Sequence, residues 1–153
     1  MKTFQISTLA QTVSLAESFA KLLKKTDIIA LYGTLGVGKT AFTRALVQSF
    51  LPSEEVPSPT FTLLQTYETE KFPVFHFDLY RLKNPEEVFE LGIEDAFYDG
   101  VSLIEWPEKM GKIAPEKKLL KIKIECDNNI RTFTFSSENP QWIERLNLWN
   151  VQI

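Results

Sequence analysis

The chain alternates between short apolar runs and segments whose apolar residues recur every three or four positions. The runs 28–32 (IIALY) and 101–104 (VSLI) are continuous and apolar, which is typical of strands buried on both faces. Residues 9–23 and 42–50 carry their apolar residues at helical spacing. Residues 3–7 alternate weakly and predict a short strand. The pattern indicates alternating helices and strands, as in an α/β protein.

Two further pairs of segments predict neighbouring strands. Residues 61–67 and 72–77 flank a short charged turn. Residues 119–125 and 131–135 alternate polar and apolar side chains on either side of Asp-Asn-Asn 127–129, as in a hairpin. Adjacent strand pairs of this kind favour a mixed sheet over a purely parallel one.

Asn-Pro dipeptides predict the start of two helices. Asn84 would cap a helix that runs to about Gly92 or beyond, and Asn139 would cap a helix near the end of the chain. Three residues would share one face of that last helix: Trp142, Leu146 and Trp149.

Residues 33–40, GTLGVGKT, fit the P-loop pattern G-x-x-x-x-G-K-[ST] between a predicted strand and a predicted helix. Main-chain amides in such a loop can point at a polyphosphate, which the helix N-terminus also attracts. Lys39 supplies a point charge for the phosphates, and the Thr40 hydroxyl can ligate Mg²⁺. The chain lacks a clear N-K-x-D base-reading motif, which favours ATP over GTP. The predicted nucleotide-binding residues of the loop are Gly33, Leu35, Gly36, Val37, Gly38, Lys39 and Thr40.

Two acidic residues follow predicted strands, where a P-loop enzyme needs a carboxylate to hold the metal or its waters. Glu105 ends the more uniformly apolar run, so we predict that it binds the metal together with Thr40. Asp78 would orient water or contact the phosphates. Either acid alone could also be a solvated strand end.

Two other side chains lie beside these acids in the sequence. His76 is the only histidine, and alternation places it on the same strand face as Asp78. We interpret it as a buried structural histidine, with a general base as the alternative. Trp106 directly follows Glu105 and either packs internally or lies beside the nucleotide or a partner surface.

Composition narrows the class of protein. The 153 residues carry a net charge of −3, which argues against broad nucleic-acid binding through a basic face. One cysteine excludes an internal disulfide, and neither a signal-peptide pattern nor a membrane-length apolar run is present. We therefore expect a cytoplasmic protein with no membrane association. Its predicted fold is a single α/β domain over residues 1–153, a P-loop NTPase-type three-layer sandwich with a mixed sheet.

Five motifs follow one another along the chain: GTLGVGKT (33–40), SPTFTL (58–63), HFDLYRL (76–82), LGIEDAF (91–97) and IEWPEK (104–109). In order and spacing they resemble the bacterial TsaE family, the small ATPases of tRNA threonylcarbamoyladenosine biosynthesis, from about residue 8 to about residue 135. The P-loop alone is not specific to this family, whereas its combination with HFDLYR and IEW is.

The resemblance implies an ATPase that uses ATP and Mg²⁺ and has low activity without its partners. Those partners would be the threonylcarbamoyl transferase subunit and its non-catalytic paralogue, with tRNA contacted only indirectly. Hydrolysis would drive or reset the transferase complex. By similarity Lys39 and Thr40 match the phosphate lysine and the metal threonine, Glu105 the metal-binding glutamate, and Asp78 an aspartate needed for activity. Trp106 matches a functional tryptophan.

One position departs from the family pattern, because Thr34 stands where the family commonly has Asp. Position 34 is a variable position of the motif, so phosphate binding should survive, although metal affinity or partner contact could change. The helix after Asn139 lies beyond the resemblance.

Two alternatives remain open from the residues. A small-molecule P-loop kinase usually needs several arginines and a lid around the transferring phosphoryl group. Of the four arginines, Arg44, Arg81, Arg131 and Arg145, only Arg81 and Arg131 are predicted to be free to reach the nucleotide. The second alternative is a nucleotide-gated binding module without significant hydrolysis.

Overall fold

The computed structural model describes residues 1–34, 36–59, 61–151 and 153. Within these residues, seven strands form one sheet that contains both parallel and antiparallel pairings. The strands are β1 (Lys2–Ile6), β2 (Ile28–Tyr32), β3 (Leu64–Glu68), β4 (Pro73–Asp78), β5 (Val101–Glu105), β6 (Leu120–Asp127) and β7 (Ile130–Ser137).

The strand order across the sheet is β1-β7-β6-β2-β5-β4-β3. β2 pairs in parallel with both β5 and β6, and β4 pairs in parallel with β5. The hairpins β3–β4 and β6–β7 and the outer pair β1–β7 are antiparallel. The predicted mixed sheet is confirmed, and its central strand is the one that leads into the P-loop.

Helices cover both faces of the sheet and form the predicted three-layer sandwich. Within the described residues, no helix has the length and apolar character needed to cross a membrane. The helices are α1 (Leu9–Ala20), α2 (Lys39–Phe50), α3 (Glu87–Glu90), α4 (Ile93–Asp99), α5 (Pro140–Leu148) and a 3₁₀ helix (Pro107–Ile113).

Strand β2 shows how the two cores are separated by the sheet. Ile29 and Leu31 pack into the core shared with α1, α2 and α5, whereas Ile28 and Ala30 pack into the core shared with α3 and α4. Successive side chains of a strand point to opposite faces, so an apolar run is buried on both sides. This accounts for the continuous apolar run that the sequence shows before the P-loop.

The last helix, α5, is an integral part of the larger core. The Asn139 side chain accepts a hydrogen bond from the Gln141 amide, which confirms the predicted cap. Trp142 is fully buried and stacks on Phe19 of α1, with ring centroids 5.7 Å apart. Arg145 binds Asp27 through two hydrogen bonds of 2.8 Å and so ties α5 to the loop before β2.

Two predicted elements differ from the structure. The strand predicted over 61–67 begins only at Leu64, because Leu63 has a positive φ of 66° and its amide donates to Pro59 in a turn. The helix predicted from Asn84 begins at Glu87 and is interrupted at Gly92, which adopts a left-handed conformation between α3 and α4. Glycine reaches that conformation without the steric cost of a side chain, so it can end one helix and lead into the next.

Candidate active site

Three parallel strands place the predicted site residues at one edge of the sheet. β2 leads into the P-loop, β5 ends at Glu105 and β4 ends at Asp78. In the register of β4 and β5, Asp78 and Glu105 are direct partners. Ligands of open α/β sheets bind at the carboxyl ends of parallel strands, so the topology brings both acids next to the loop.

Glycines allow the P-loop to fold closely. Gly33 has a φ of 153°, and a Cβ there would lie 2.7 Å from Val37 Cγ1 and 2.9 Å from the Ile124 carbonyl oxygen. Gly38 has a φ of 121° and immediately precedes α2. A side chain at either position would be strained, and at Gly33 it would also collide with the loop and with β6.

Lys39, the first residue of α2, is only 4% exposed. Its Nζ donates a hydrogen bond of 2.6 Å to the Gly33 carbonyl oxygen and lies 3.6 Å from the centroid of the Trp106 ring. Burial lowers the pKa of Lys39, and the charges of Glu105 and nearby acids oppose that shift. The ammonium is therefore held beside an aromatic face and a carbonyl, in a position that favours an added anion.

The Glu105 carboxylate is shared between the P-loop and β4. Its Oε1 lies 3.4 Å from the Thr40 hydroxyl, which donates to it. Its Oε2 lies 2.6 Å from His76 Nε2, and His76 is fully buried. The buried histidine therefore holds the Glu105 carboxylate in place through this contact, which agrees with its interpretation as a buried structural residue.

Asp78 is 4% exposed, and its Oδ1 accepts a hydrogen bond of 3.1 Å from the Tyr80 amide. Tyr80 in turn packs against Trp106, with ring centroids 5.0 Å apart. Trp106 has a positive φ of 59°, an uncommon conformation for a bulky residue. The turn after β5 thus places the indole over Lys39, beside both acids.

These residues surround a cavity of about 320 Å³. That volume lies within the range of small-molecule sites, roughly 300–1,000 Å³. Charged and polar groups of the P-loop face both strand-end acids across it. The lining residues are Gly36, Gly38, Lys39, Thr40, Ala41, Ser58, Asp78, Glu105, Trp106 and Arg131.

Most of the predicted site residues meet in this cavity. Gly33 and Val37 do not line it: Gly33 accepts the Lys39 hydrogen bond, and the Val37 amide donates to the Thr34 carbonyl oxygen at 3.2 Å. Leu35, also predicted to bind nucleotide, lies outside the described residues. The Thr34 side chain is exposed.

Sequence reasoning did not assign Ser58 or Arg131 to the site, although both line it. For Arg131 the sequence indicates only an arginine that is free to reach a nucleotide. Ser58 is the first residue of the SPTFTL motif, but the motif does not show that its side chain reaches the P-loop. A cavity of about 640 Å³ lies elsewhere, against Lys21, Phe50 and Lys71, but it contains none of the P-loop residues.

The donor groups fit a magnesium–nucleotide complex. Mg²⁺ prefers oxygen ligands and usually takes only one or two from the protein, with the rest from phosphates and water. The Thr40 hydroxyl and the Glu105 carboxylate supply two such oxygens within hydrogen-bond reach of each other. Among the residues described, no group of three or more His, Cys, Asp and Glu is arranged to hold a metal. The two oxygens of Thr40 and Glu105 suit a Mg²⁺ ion that takes its other ligands from a phosphate and water.

Comparison with known proteins gives consistent matches. The family model of TsaE, threonylcarbamoyl adenosine biosynthesis protein TsaE, matches residues 6–133. The tRNA threonylcarbamoyladenosine biosynthesis protein TsaE of Rickettsia prowazekii is 42% identical over 131 residues, covering 84% of this chain and 90% of its own. Its counterpart from Bacillus subtilis is 31% identical over 128 residues, or 83% and 80% of the two chains.

A solved structure has the same architecture. The crystal structure of Bacillus subtilis YdiB superimposes with a TM-score of 0.81 at 26% sequence identity. The superposition covers 95% of this chain and 91% of that one. The sheet and both helical layers are therefore shared along nearly the whole length.

Proposed function

Because this chain belongs to the TsaE family, whose place is in tRNA threonylcarbamoyladenosine biosynthesis, we propose that it is an ATP-binding, Mg²⁺-dependent ATPase subunit of that pathway. Its partners would be the threonylcarbamoyl transferase subunit and the non-catalytic paralogue of that subunit. Hydrolysis would drive or reset their complex. One observation carries the proposal: Lys39, Thr40 and Glu105 converge in a single cavity at the P-loop.

The P-loop would hold the polyphosphate of ATP. α2 begins at Lys39 and Thr40, which line the cavity. The first-turn amides of a helix and the partial positive charge of its N-terminus attract a phosphate. Lys39 is already buried there, and this burial lowers its pKa and so disfavours its positive charge. A phosphate anion would compensate it and replace the carbonyl of Gly33 as its partner.

Thr40 and Glu105 would hold the metal. When bound, Mg²⁺ neutralises negative charge on the phosphate oxygens. The 2.6 Å contact with His76 fixes the orientation of the Glu105 carboxylate. Supporting hydrogen bonds of this kind orient a ligand before the metal arrives.

Asp78 would position the attacking water. Its carboxylate is oriented by the Tyr80 amide and lies beside Glu105 at the ends of adjacent strands. A carboxylate in that place accepts a hydrogen bond from water and holds its oxygen toward the phosphates.

The arginines argue against the kinase alternative. Arg145 is bound to Asp27, the Arg44 side chain donates to the Val56 carbonyl oxygen, and Arg81 lies over the exposed ring of Phe61. Within the described part of the chain, only Arg131 lines the cavity. A phosphoryl-transfer site for a small metabolite usually clamps the transferring group with several arginines.

A nucleotide-gated binding module is the other alternative, and one observation favours it. Ser58 of the SPTF segment lines the cavity, and Phe61 of the same segment is 82% exposed. Nucleotide binding near Ser58 could therefore change a surface that a partner contacts.

Phosphate release from Mg-ATP tests the proposed function. We expect slow release by the purified chain alone and a sharp rise when the transferase subunit and its paralogue are added. A rate that does not respond to the partners would contradict the role as a subunit. No release in either case, with ATP binding retained, would favour the binding module.

Glu105→Gln tests the metal site. The change keeps the size of the side chain but removes its negative charge, so we expect hydrolysis at saturating Mg²⁺ to fall by at least roughly tenfold. ADP binding measured without Mg²⁺ should change little. Glu90→Gln, at an exposed acid on α3, is the matched control and should hydrolyse ATP normally. Normal turnover by the Glu105 variant would indicate that Asp78, not Glu105, is the essential acid.

A further inference from the structure

Arg131 brings a cation into the P-loop cavity from the side opposite the two acids. It lies on β7, which is two strands from β2 on one side of the sheet. β5 and β4, which end at Glu105 and Asp78, lie on the other side of β2. A ligand that crosses the P-loop therefore has the acids near one end and Arg131 near the other.

The loop itself holds Arg131 in this position. Its Nε donates a hydrogen bond of 2.7 Å to the Val37 carbonyl oxygen. Nε also passes so close to Gly38 that a Cβ on that glycine would lie 3.2 Å from it. Guanidinium has five N–H donors in a planar fork. The hydrogen bonds of the described residues use one of the five, so the terminal amino groups remain for a ligand.

Arg81, the second arginine that the sequence predicts to be free to reach the nucleotide, differs from Arg131 in its position. The Arg81 guanidinium carbon lies 4.4 Å from the centroid of the Phe61 ring, and Arg81 is exposed outside the cavity lining. Arg131 is half-buried and lines the cavity with Lys39 and Thr40. An arginine fixed through Nε has lost part of its conformational freedom before the ligand arrives, which favours binding.

The positions of the other groups in the cavity indicate which phosphate Arg131 contacts. In P-loop enzymes the metal, its threonine and the water-positioning acid serve the β- and γ-phosphates. Here those groups are Thr40, Glu105 and Asp78. The phosphate nearest the ribose then falls on the opposite side of the loop. We propose that Arg131 binds the α-phosphate of the nucleotide through its terminal amino groups, an inference that rests on the proposed ATP-binding function.

A contact with the α-phosphate is present in both ADP and ATP. Removing it should therefore weaken both nucleotides by a similar factor. A contact with the γ-phosphate would instead weaken only the triphosphate. This difference allows binding measurements, without turnover, to identify the phosphate.

The experiment compares Arg131→Gln, Arg131→Lys and wild type by titration calorimetry with Mg-ADP and with the β,γ-imido analogue of ATP. We expect Arg131→Gln to weaken both ligands by a similar factor of roughly ten or more, as for loss of a hydrogen bond to a charged group. Arg131→Lys keeps the positive charge but not the planar guanidinium, so its affinity for both ligands should lie between those of Arg131→Gln and wild type. Arg81→Gln removes the same charge outside the cavity and should bind like wild type.

Three results would overturn the inference, and they are distinguishable from one another. Unchanged affinity of Arg131→Gln for both ligands would show that Arg131 binds the Val37 carbonyl oxygen but no phosphate. A loss confined to the triphosphate analogue would assign Arg131 to the γ-phosphate. Failure of wild type to bind either ligand would refute the proposed function itself, and the inference with it.

Discussion

Lys39→Ala is expected to reduce ATP affinity by roughly 100-fold or more, and turnover with it. The ammonium is buried at the start of α2, within 2.6 Å of the Gly33 carbonyl oxygen, where a polyphosphate would need it. A hydrogen bond between a charged donor and a charged acceptor is among the strongest in proteins. A hundredfold loss corresponds to about 2.8 kcal/mol, which is within the range for such contacts. Isothermal titration with ATP in the presence of Mg²⁺ measures it.

The fold of the Lys39 variant should be retained, because the substitution removes a buried charge whose desolvation is costly. Its midpoint of urea unfolding should therefore be no lower than that of wild type. Lys123→Ala is the matched control, since Lys123 is an exposed lysine on β6. ATP affinity and turnover equal to those of wild type in Lys39→Ala would reject the assignment of the P-loop as the nucleotide site.

Trp142→Ala is expected to lower the free energy of unfolding by about 3–5 kcal/mol, the usual cost of truncating a buried Trp or Phe. Trp142 is fully buried on α5, stacks on Phe19 and carries the Arg145 guanidinium 3.7 Å above its ring. Most of that loss would come from the cavity left between α1 and α5. Urea unfolding monitored by circular dichroism gives the value.

The same helix offers a control for Trp142. Leu148 is 77% exposed on α5, so Leu148→Ala should change the free energy of unfolding by no more than about 0.5 kcal/mol. Equal stability of the two variants would show that α5 adds little to the core. A large difference would show that this helix, which lies after the family-matched residues 6–133, is required for the fold.

Local sequence was enough to predict the elements that form the candidate site. The run 28–32 is β2 in the structure, and α2 follows the P-loop as its pattern indicates. Glu105 is the last residue of β5 and Asp78 the last of β4, as expected from the apolar runs before them. A buried strand and a P-loop are each specified by residues that are close together in the sequence, so short-range patterns predict both.

Local sequence failed where a backbone conformation or a turn interrupted a pattern. The helix after Asn84 is divided at Gly92, and β3 starts three residues later than the apolar pattern suggested. The positive φ of Leu63 is uncommon for a leucine, and a neighbouring turn stabilises it. The spacing of apolar residues does not show where tertiary contacts override the local preference for helix or strand.

The sequence by itself determined that this protein has a P-loop between a buried strand and a helix, two strand-end acids, and the motifs of its family. Only the tertiary structure decided that His76 supports Glu105, that Trp106 covers Lys39, and that Arg131 enters from the opposite side. Each of these contacts joins strands or loops far apart in the chain. Their positions follow from the order and register of strands in the sheet, which is set by the packing of the whole domain rather than by any one segment.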